Sequence, residues 1–217
     1  MSAIQTTGSS LREKLISDGL LRWLDVGCGG NFEDGFDYID LFPPEAIDSR
    51  FRDRYHRIDL IHAEDGELRA LGKYDFVRMQ HTFEHFSYEE GQIALKRCAA
   101  LLRPGGLILI TTPDLRVHIK RYLTHGYRSW TGFQWWANKR IPKDAPDSCY
   151  FSIFAHSMPF EAHQWCYDYE GLVYQLSRSG LYGDICELKV GDPLWQQPFT
   201  HNRPEEDVCV MARRVKS

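Results

Sequence analysis

Four groups of residues carry chemistry by their type and spacing. The first is Leu21-Arg22-Trp23-Leu24-Asp25-Val26-Gly27-Cys28-Gly29-Gly30, an apolar run that meets an acid and then a cluster of glycines. Glycine permits φ > 0 and lets the backbone come close to a ligand. A side chain at Gly27 or Gly29 would take up space that a nucleoside or amino-acid moiety can fill. The second is Asp40, which ends the alternating run Phe36-Asp37-Tyr38-Ile39-Asp40. A carboxylate in that place accepts two hydrogen bonds from ribose hydroxyls. The third and fourth are Gln80-His81-Thr82-Phe83-Glu84-His85-Phe86 and Ala162-His163-Gln164-Trp165-Cys166-Tyr167-Asp168. They supply His81, His85 and His163, and a neutral imidazole can take the proton of a hydroxyl. His81 and His85 are four apart, so on a helix they share a face with Glu84 adjacent. That spacing suits zinc, but the H-E-x-x-H order is missing and third and fourth ligands are not apparent, so no metal is assigned.

These groups need a scaffold. Leu21, Leu24 and Val26 suit a strand buried in a sheet, over about 20–26. A glycine turn at the carboxyl end of a first strand is where open α/β sheets take nucleotides. The turn is not the dinucleotide fingerprint G-x-G-x-x-G, because Asn31 and Phe32 follow Gly30, and it is not a P-loop, because no Gly-Lys-Ser/Thr follows. Ser9 or Ser10 caps a short helix through Asp18, with Gly19 as its stop. Gly30 to Gly35 leaves little room for a first crossover helix. Residues 36–40 read as a second strand, 56–60 as a third and 74–79 as a fourth. A helix over 88–102 carries Ile93, Ala94, Leu95, Cys98, Ala99, Leu101 and Leu102 at helical spacing. Arg103-Pro104-Gly105-Gly106 breaks it, and Leu107 to Thr112 is a fifth strand closed by Pro113-Asp114. Asp168 caps a helix that ends at Gly180, and 182–190 and 207–214 are the last strands. Alternating β and α elements require a doubly wound α/β sheet.

The 217 residues make one domain, 1–217, with an insertion over 115–167. That insertion concentrates aromatic residues, among them Trp130, Trp135, Trp136, Phe154 and Trp165. They form the lid of an acceptor site or a satellite core under a long connection. A net charge of −4 gives no general pull toward nucleic acid. Arg50 to Arg57 reads as a solvated loop balanced by Asp48 and Asp53. No apolar run approaches the ~20 residues of a membrane span. Met1 to Ser10 is polar and lacks the apolar core of a signal peptide, and the six cysteines are scattered with no C-x-x-C. A cytoplasmic protein with reduced thiols is expected.

Leu24-Asp25-Val26-Gly27-Cys28-Gly29-Gly30 resembles the first motif of the S-adenosylmethionine-dependent methyltransferases with a Rossmann-like fold. Tyr74-Asp75-Phe76-Val77, then Glu84-His85, then Leu102-Arg103-Pro104-Gly105-Gly106-Leu107 follow in the order and spacing of its small-molecule members. The likeness covers nearly everything except 115–162. It implies a mostly parallel sheet with an antiparallel last strand, and S-adenosylmethionine as cofactor. Gly27, Cys28 and Gly29 would line the methionine end with Asp25 behind them. Asp40 would hold the ribose with Leu41 beside it, and Asp59 and Leu60 would flank adenine, though Asp59 also suits a structural acid at a loop start. Gln80 and His81 would lie next to the sulfonium. The interval from Gly27 to Asp40 is shorter than usual, in keeping with the missing crossover helix.

His163-x-Trp165-x-Tyr167-Asp168 is similar to a segment of bacterial methyltransferases found among polysaccharide and natural-product enzymes. The resemblance therefore implies a small-molecule acceptor, with a hydroxyl of a sugar or natural product as nucleophile. His81, then His163, then His85 are the candidate bases. One alternative is an RNA or other nucleic-acid methyltransferase, but Gln80-His81-Thr82-Phe83 stands where such enzymes carry [Asp/Asn]-Pro-Pro-[Tyr/Phe]. Another is a cofactor-binding protein without activity, against which the intact glycines and Asp40 stand. The oligomeric state is not read from the sequence.

Overall fold

The computed structural model describes residues 9–124 and 163–215. Seven strands form one sheet: β1 (Trp23–Val26), β2 (Phe36–Asp40), β3 (Tyr55–Arg57), β4 (Tyr74–Gln80), β5 (Leu102–Pro113), β6 (Tyr182–Glu187) and β7 (Asp207–Arg214). Their order is β3-β2-β1-β4-β5-β7-β6. The first five run parallel, and β7 lies antiparallel between β5 and β6. The helices are α1 (Leu11–Ser17), α2 (Asp65–Ala70), α3 (Tyr88–Leu101), α4 (Leu115–Leu123) and α5 (Tyr169–Ser179). This is the doubly wound α/β sheet with an antiparallel last strand that the sequence implies.

Strand alternation sorts the core into two layers. Leu24, Val26, Val77, Met79, Ile108 and Ile110 face one side, where Ala94, Leu95 and Cys98 of α3 and Leu172 and Leu176 of α5 cover them. Trp23, Phe36, Tyr38, Phe76, Leu107 and Leu109 face the other, with Leu11 and Leu15 of α1 and Phe199. Each such apolar side chain, fully buried, stabilises the fold by roughly 1.5–3 kcal/mol. The second layer also receives Asp25 and Arg78, which alternate with its apolar residues along β1 and β4.

Local signals set the helix ends. Ser10 Oγ accepts the Glu13 N–H and the Glu13 carboxylate accepts the Ser10 N–H, a reciprocal cap. Asp168 accepts the Gly171 N–H at 2.9 Å, and Gly180 closes α5 at φ 67°, as expected of both. No crossover helix separates β1 from β2.

Several boundaries depart from the sequence reading. β1 begins at Trp23 rather than near residue 20, because the Leu21 and Arg22 N–H groups donate to Asp75 Oδ2 at 3.1 and 3.0 Å instead of to a strand. β3 stops at Arg57 because the next residues turn around Asp59. β5 starts at Leu102, directly after α3. Leu102 pairs with Tyr74, the register then shifts, and Leu107 pairs with Phe76, so Arg103 to Gly106 follow the end of α3, as expected, and form a bulge within β5. β6 ends at Glu187. Two helices escape the sequence pattern, α2 and α4. The chain leaves the sheet at Asp114 and comes back beside the same point, where the Leu115 N–H donates to Tyr167 O at 2.8 Å. The proposed lid's aromatic residues from Tyr127 to Phe160 lie outside the described residues. No helix among the described residues is long and apolar enough to cross a membrane.

Candidate active site

The carboxyl ends of β1, β2 and β4 meet at the glycine turn. Gly27, Gly29 and Gly30 take φ of 71°, 61° and 121°. The three glycines have different reasons. A Cβ on Gly27 would stand 2.3 Å from Thr82 Oγ1. The space at Gly27 is thus filled by Thr82, which bonds the Val26 and Gly27 carbonyls at 3.0 and 3.1 Å, and not by a ligand as the sequence suggested. At Gly29 and Gly30 nothing lies within 4 Å of where a Cβ would be, so that side of the turn is open.

Asp40 fastens this turn to β2. Its Oδ2 accepts the Gly29 N–H at 2.8 Å and its Oδ1 accepts the Leu41 N–H at 2.6 Å. Each carboxylate oxygen has a second lone-pair site, so both remain able to accept a hydroxyl. Leu41 stands exposed next to it. Cys28 is buried, and burial together with the Asp40 and Asp25 carboxylates pushes its thiol up, so it is an uncharged wall. Asp59 is otherwise engaged. Its Oδ1 accepts the Ile61 and His62 N–H groups at 2.8 and 3.2 Å, and its Oδ2 lies 2.9 Å from His62 Nδ1. It caps the start of this loop, and Leu60 beside it is buried in the core.

Behind the turn lies a network that no sequence pattern disclosed. Arg78 is fully buried in the middle of β4. Its guanidinium meets Asp25 Oδ2 at 2.5 Å and Glu33 Oε1 at 2.6 Å, and lies 4.3 Å from the Phe36 ring centroid. Burial pushes the Asp25 carboxyl up, and Arg78 opposes that. Asp25 therefore serves the site indirectly: with Glu33, it lets β4 grip both sides of the glycine turn.

On the other flank, β4 ends at Gln80, which is buried at the sheet edge, and turns sharply at His81, whose φ of 53° is rare for a residue with a side chain. Residues 83–85 form a single 3-10 turn. His81 and His85 are consequently not on one helical face, contrary to the i, i+4 expectation. The His81 ring sits between two carboxylates, with Nε2 at 3.1 Å from Asp207 Oδ2 and Nδ1 at 3.3 Å from Glu84 Oε1. Burial alone would lower its pKa. The carboxylates of Asp207 and Glu84 outweigh burial and push it up to about 10. Held in this way the imidazole favours its protonated form, whereas the sequence reading used a neutral ring as the base. His85 and His163 lie close by, their rings 4.8 Å apart and edge to face.

This electrostatic arrangement has a measurable consequence. Asp207 and Glu84 face His81 directly, with Glu206 beside Asp207. A folded-state pKa raised above the unfolded value of about 6.5 stabilises the fold fully below that pH, and the contribution is lost as pH rises through about 10. An NMR titration of metal-free protein should show the His81 imidazole still protonated at pH 8. A midpoint at or below the ordinary histidine value of about 6.5 would contradict the ion-pair arrangement.

The sequence matches the family described as methyltransferase domain over residues 4–181. No curated protein matches the chain. Three solved structures share its fold. The S-adenosylmethionine-dependent methyltransferase SibL is 16% identical, with a TM-score of 0.52 over 91% of this chain and 51% of its own. An O-methyltransferase family protein from Burkholderia thailandensis is 12% identical, with a TM-score of 0.50 over 95% and 57%. An S-adenosylmethionine-dependent methyltransferase from Clostridium acetobutylicum ATCC 824 is 12% identical, with a TM-score of 0.53 over 95% and 89%. The chain thus spans about half the length of the first two and most of the third. By the match over most of its length, the chain belongs to the methyltransferase-domain family.

Proposed function

We propose that this enzyme transfers the methyl group of S-adenosylmethionine to a hydroxyl of a small molecule, a sugar or natural product. The chain is a methyltransferase by family, and its cofactor is S-adenosylmethionine. The observation that carries the site is the Asp40 carboxylate, which faces an open glycine turn and keeps lone pairs free for hydroxyls. Gly29 and Gly30 leave room for a bound group, and Asp40 would hold its ribose. When bound, the cofactor supplies a methyl group made electrophilic by a positively charged sulfur.

The protein's own part is chiefly placement. Fixing nucleophile and electrophile in line replaces a bimolecular encounter and can supply much of the acceleration. Arg78 holds the turn from behind, and Thr82 sets the β4 end against it. The His81 cation, clamped by Asp207 and Glu84, braces the loop that carries Glu84 and His85. The small-molecule acceptor is supported by the His163-to-Asp168 segment, whose Trp165 is 45% exposed and packs on Tyr88 with ring centroids 5.5 Å apart. The O-methyltransferase character of the Burkholderia relative points the same way.

The test is to incubate the protein with S-adenosylmethionine labelled in the methyl group and with panels of sugars, phenols, amines and RNA. Label is expected on oxygen of a hydroxylated small molecule, located by product mass and fragmentation. Label confined to amines or to RNA would overturn the assignment of the acceptor. Calorimetry that detects no cofactor binding would overturn the site.

A further inference from the structure

Two backbone segments far apart in sequence are stitched together beside the site. The Gln164 and Trp165 N–H groups both donate to Glu84 O, at 2.8 and 3.2 Å, and Gln164 Nε2 donates to His85 O at 2.9 Å. This clamp sets His163 against Glu84 and His85. One ligand-capable atom from each of these three residues lies within 4.8 Å of the other two, and His163 Nε2 is 3.9 Å from Glu84 Oε1. The Glu84 side chain is 2% exposed. Neither of its buried oxygens makes a hydrogen bond of normal geometry among the described residues. A buried carboxylate in that condition is costly unless something else partners it. The adjacent His81 covers part of that need, and His163 Nε2 approaches the same oxygen, Oε1.

We propose that Glu84, His85 and His163 form a binding site for a divalent transition-metal cation. Two imidazoles and one carboxylate are a donor set suited to zinc, iron or manganese, and too rich in nitrogen for magnesium or calcium. Metal–ligand bonds of about 2.1 Å in tetrahedral geometry place ligand atoms about 3.4 Å apart. The three side chains therefore need to close by up to about 1.4 Å, within the reach of rotations about their own bonds, while the clamp holds their backbones. With three protein ligands the cation keeps an open position, the mark of a site that takes a substrate or water. It goes beyond methyl transfer as such. If the proposed transfer to a hydroxyl also holds, the cation would lower the pKa of a coordinated acceptor hydroxyl and so favour loss of its proton to solvent.

The experiment uses the full chain, stripped by chelator and without S-adenosylmethionine, so that its outcome does not depend on methyl transfer. Zn²⁺ is titrated by calorimetry and Co²⁺ by visible absorption. The expected result is saturation at one cation per chain, with Co²⁺ bands typical of low coordination by nitrogen and oxygen. His163→Ala and the nearly isosteric Glu84→Gln should each weaken Zn²⁺ by at least about tenfold, while His62→Ala, at an exposed histidine, leaves it unchanged. Circular dichroism confirms that the variants are folded. If Glu84→Gln does not fold, His163→Ala and His85→Ala decide. No saturable binding to the wild-type chain, or equal affinity in folded variants, overturns the site.

Discussion

Arg78→Met is expected to lower the free energy of unfolding by about 3–5 kcal/mol, the usual cost of removing one partner from a buried ion pair. The folded protein places this guanidinium among two carboxylates and two aromatic rings, with none of its side chain exposed. Methionine preserves much of the volume but removes the charge. Asp25, the more buried of the two acids, is then left in the core without a counter-charge. Glu33 can swing toward water, since a fifth of its side chain is already exposed. Total stability for a domain is only about 5–15 kcal/mol, so the loss takes a large share of it. A double change, Arg78→Met with Asp25→Leu, should cost much less than the sum of the single changes, because no buried charge is left behind. Denaturant melts of the three variants decide the matter. A loss below about 1 kcal/mol for Arg78→Met would mean that the triad is relaxed in solution.

That network marks where the sequence stopped being legible. Periodicity assigns apolar residues to faces, and it found β1, β2 and β4 because Leu24, Val26, Val77 and Met79 alternate cleanly. A charge at position 78 reads as a solvent-facing residue until its partners are known, and Glu33 and Asp25 come from a loop and a neighbouring strand. The same limit applies at Gly27, where the glycine is required by Thr82, a residue brought in by sheet pairing. His81 looked like a base because an isolated imidazole titrates near neutrality. Its ring is held by Glu84, three positions on, and by Asp207, 126 positions later. Short-range chemistry was read better. The caps at Ser10 and Asp168, the stop at Gly180 and the absent crossover helix depend on residues adjacent in sequence. Proline and glycines after Leu102 do mark the end of α3, but that β5 already starts at Leu102 shows only in its pairing with Tyr74.

Asp40→Ala should abolish useful cofactor binding, for two separable reasons. In the protein as it stands the carboxylate already works, accepting the Gly29 and Leu41 N–H groups. Alanine removes both bonds and frees the turn whose shape the site requires. It also removes the acceptor proposed for the ribose hydroxyls. A hydrogen bond to a charged group contributes about 1.5–3 kcal/mol, so losing the ribose contacts alone should weaken S-adenosylmethionine by roughly tenfold to a hundredfold or more. Asp40→Asn separates the two reasons. The amide oxygen can still accept one backbone N–H, so the turn is partly kept, but the negative charge and half of the acceptor capacity are gone. Affinity for the asparagine variant should fall between wild type and alanine, with a melting temperature close to wild type in the absence of ligand. Calorimetry of cofactor and of its demethylated product gives the affinities, and ligand-free melts report the turn. If both variants bind as tightly as wild type, Asp40 holds only the glycine turn, and the ribose must be sought elsewhere along the carboxyl ends of the strands. If alanine binds weakly but asparagine matches wild type, charge is irrelevant and the turn geometry is what the cofactor reads.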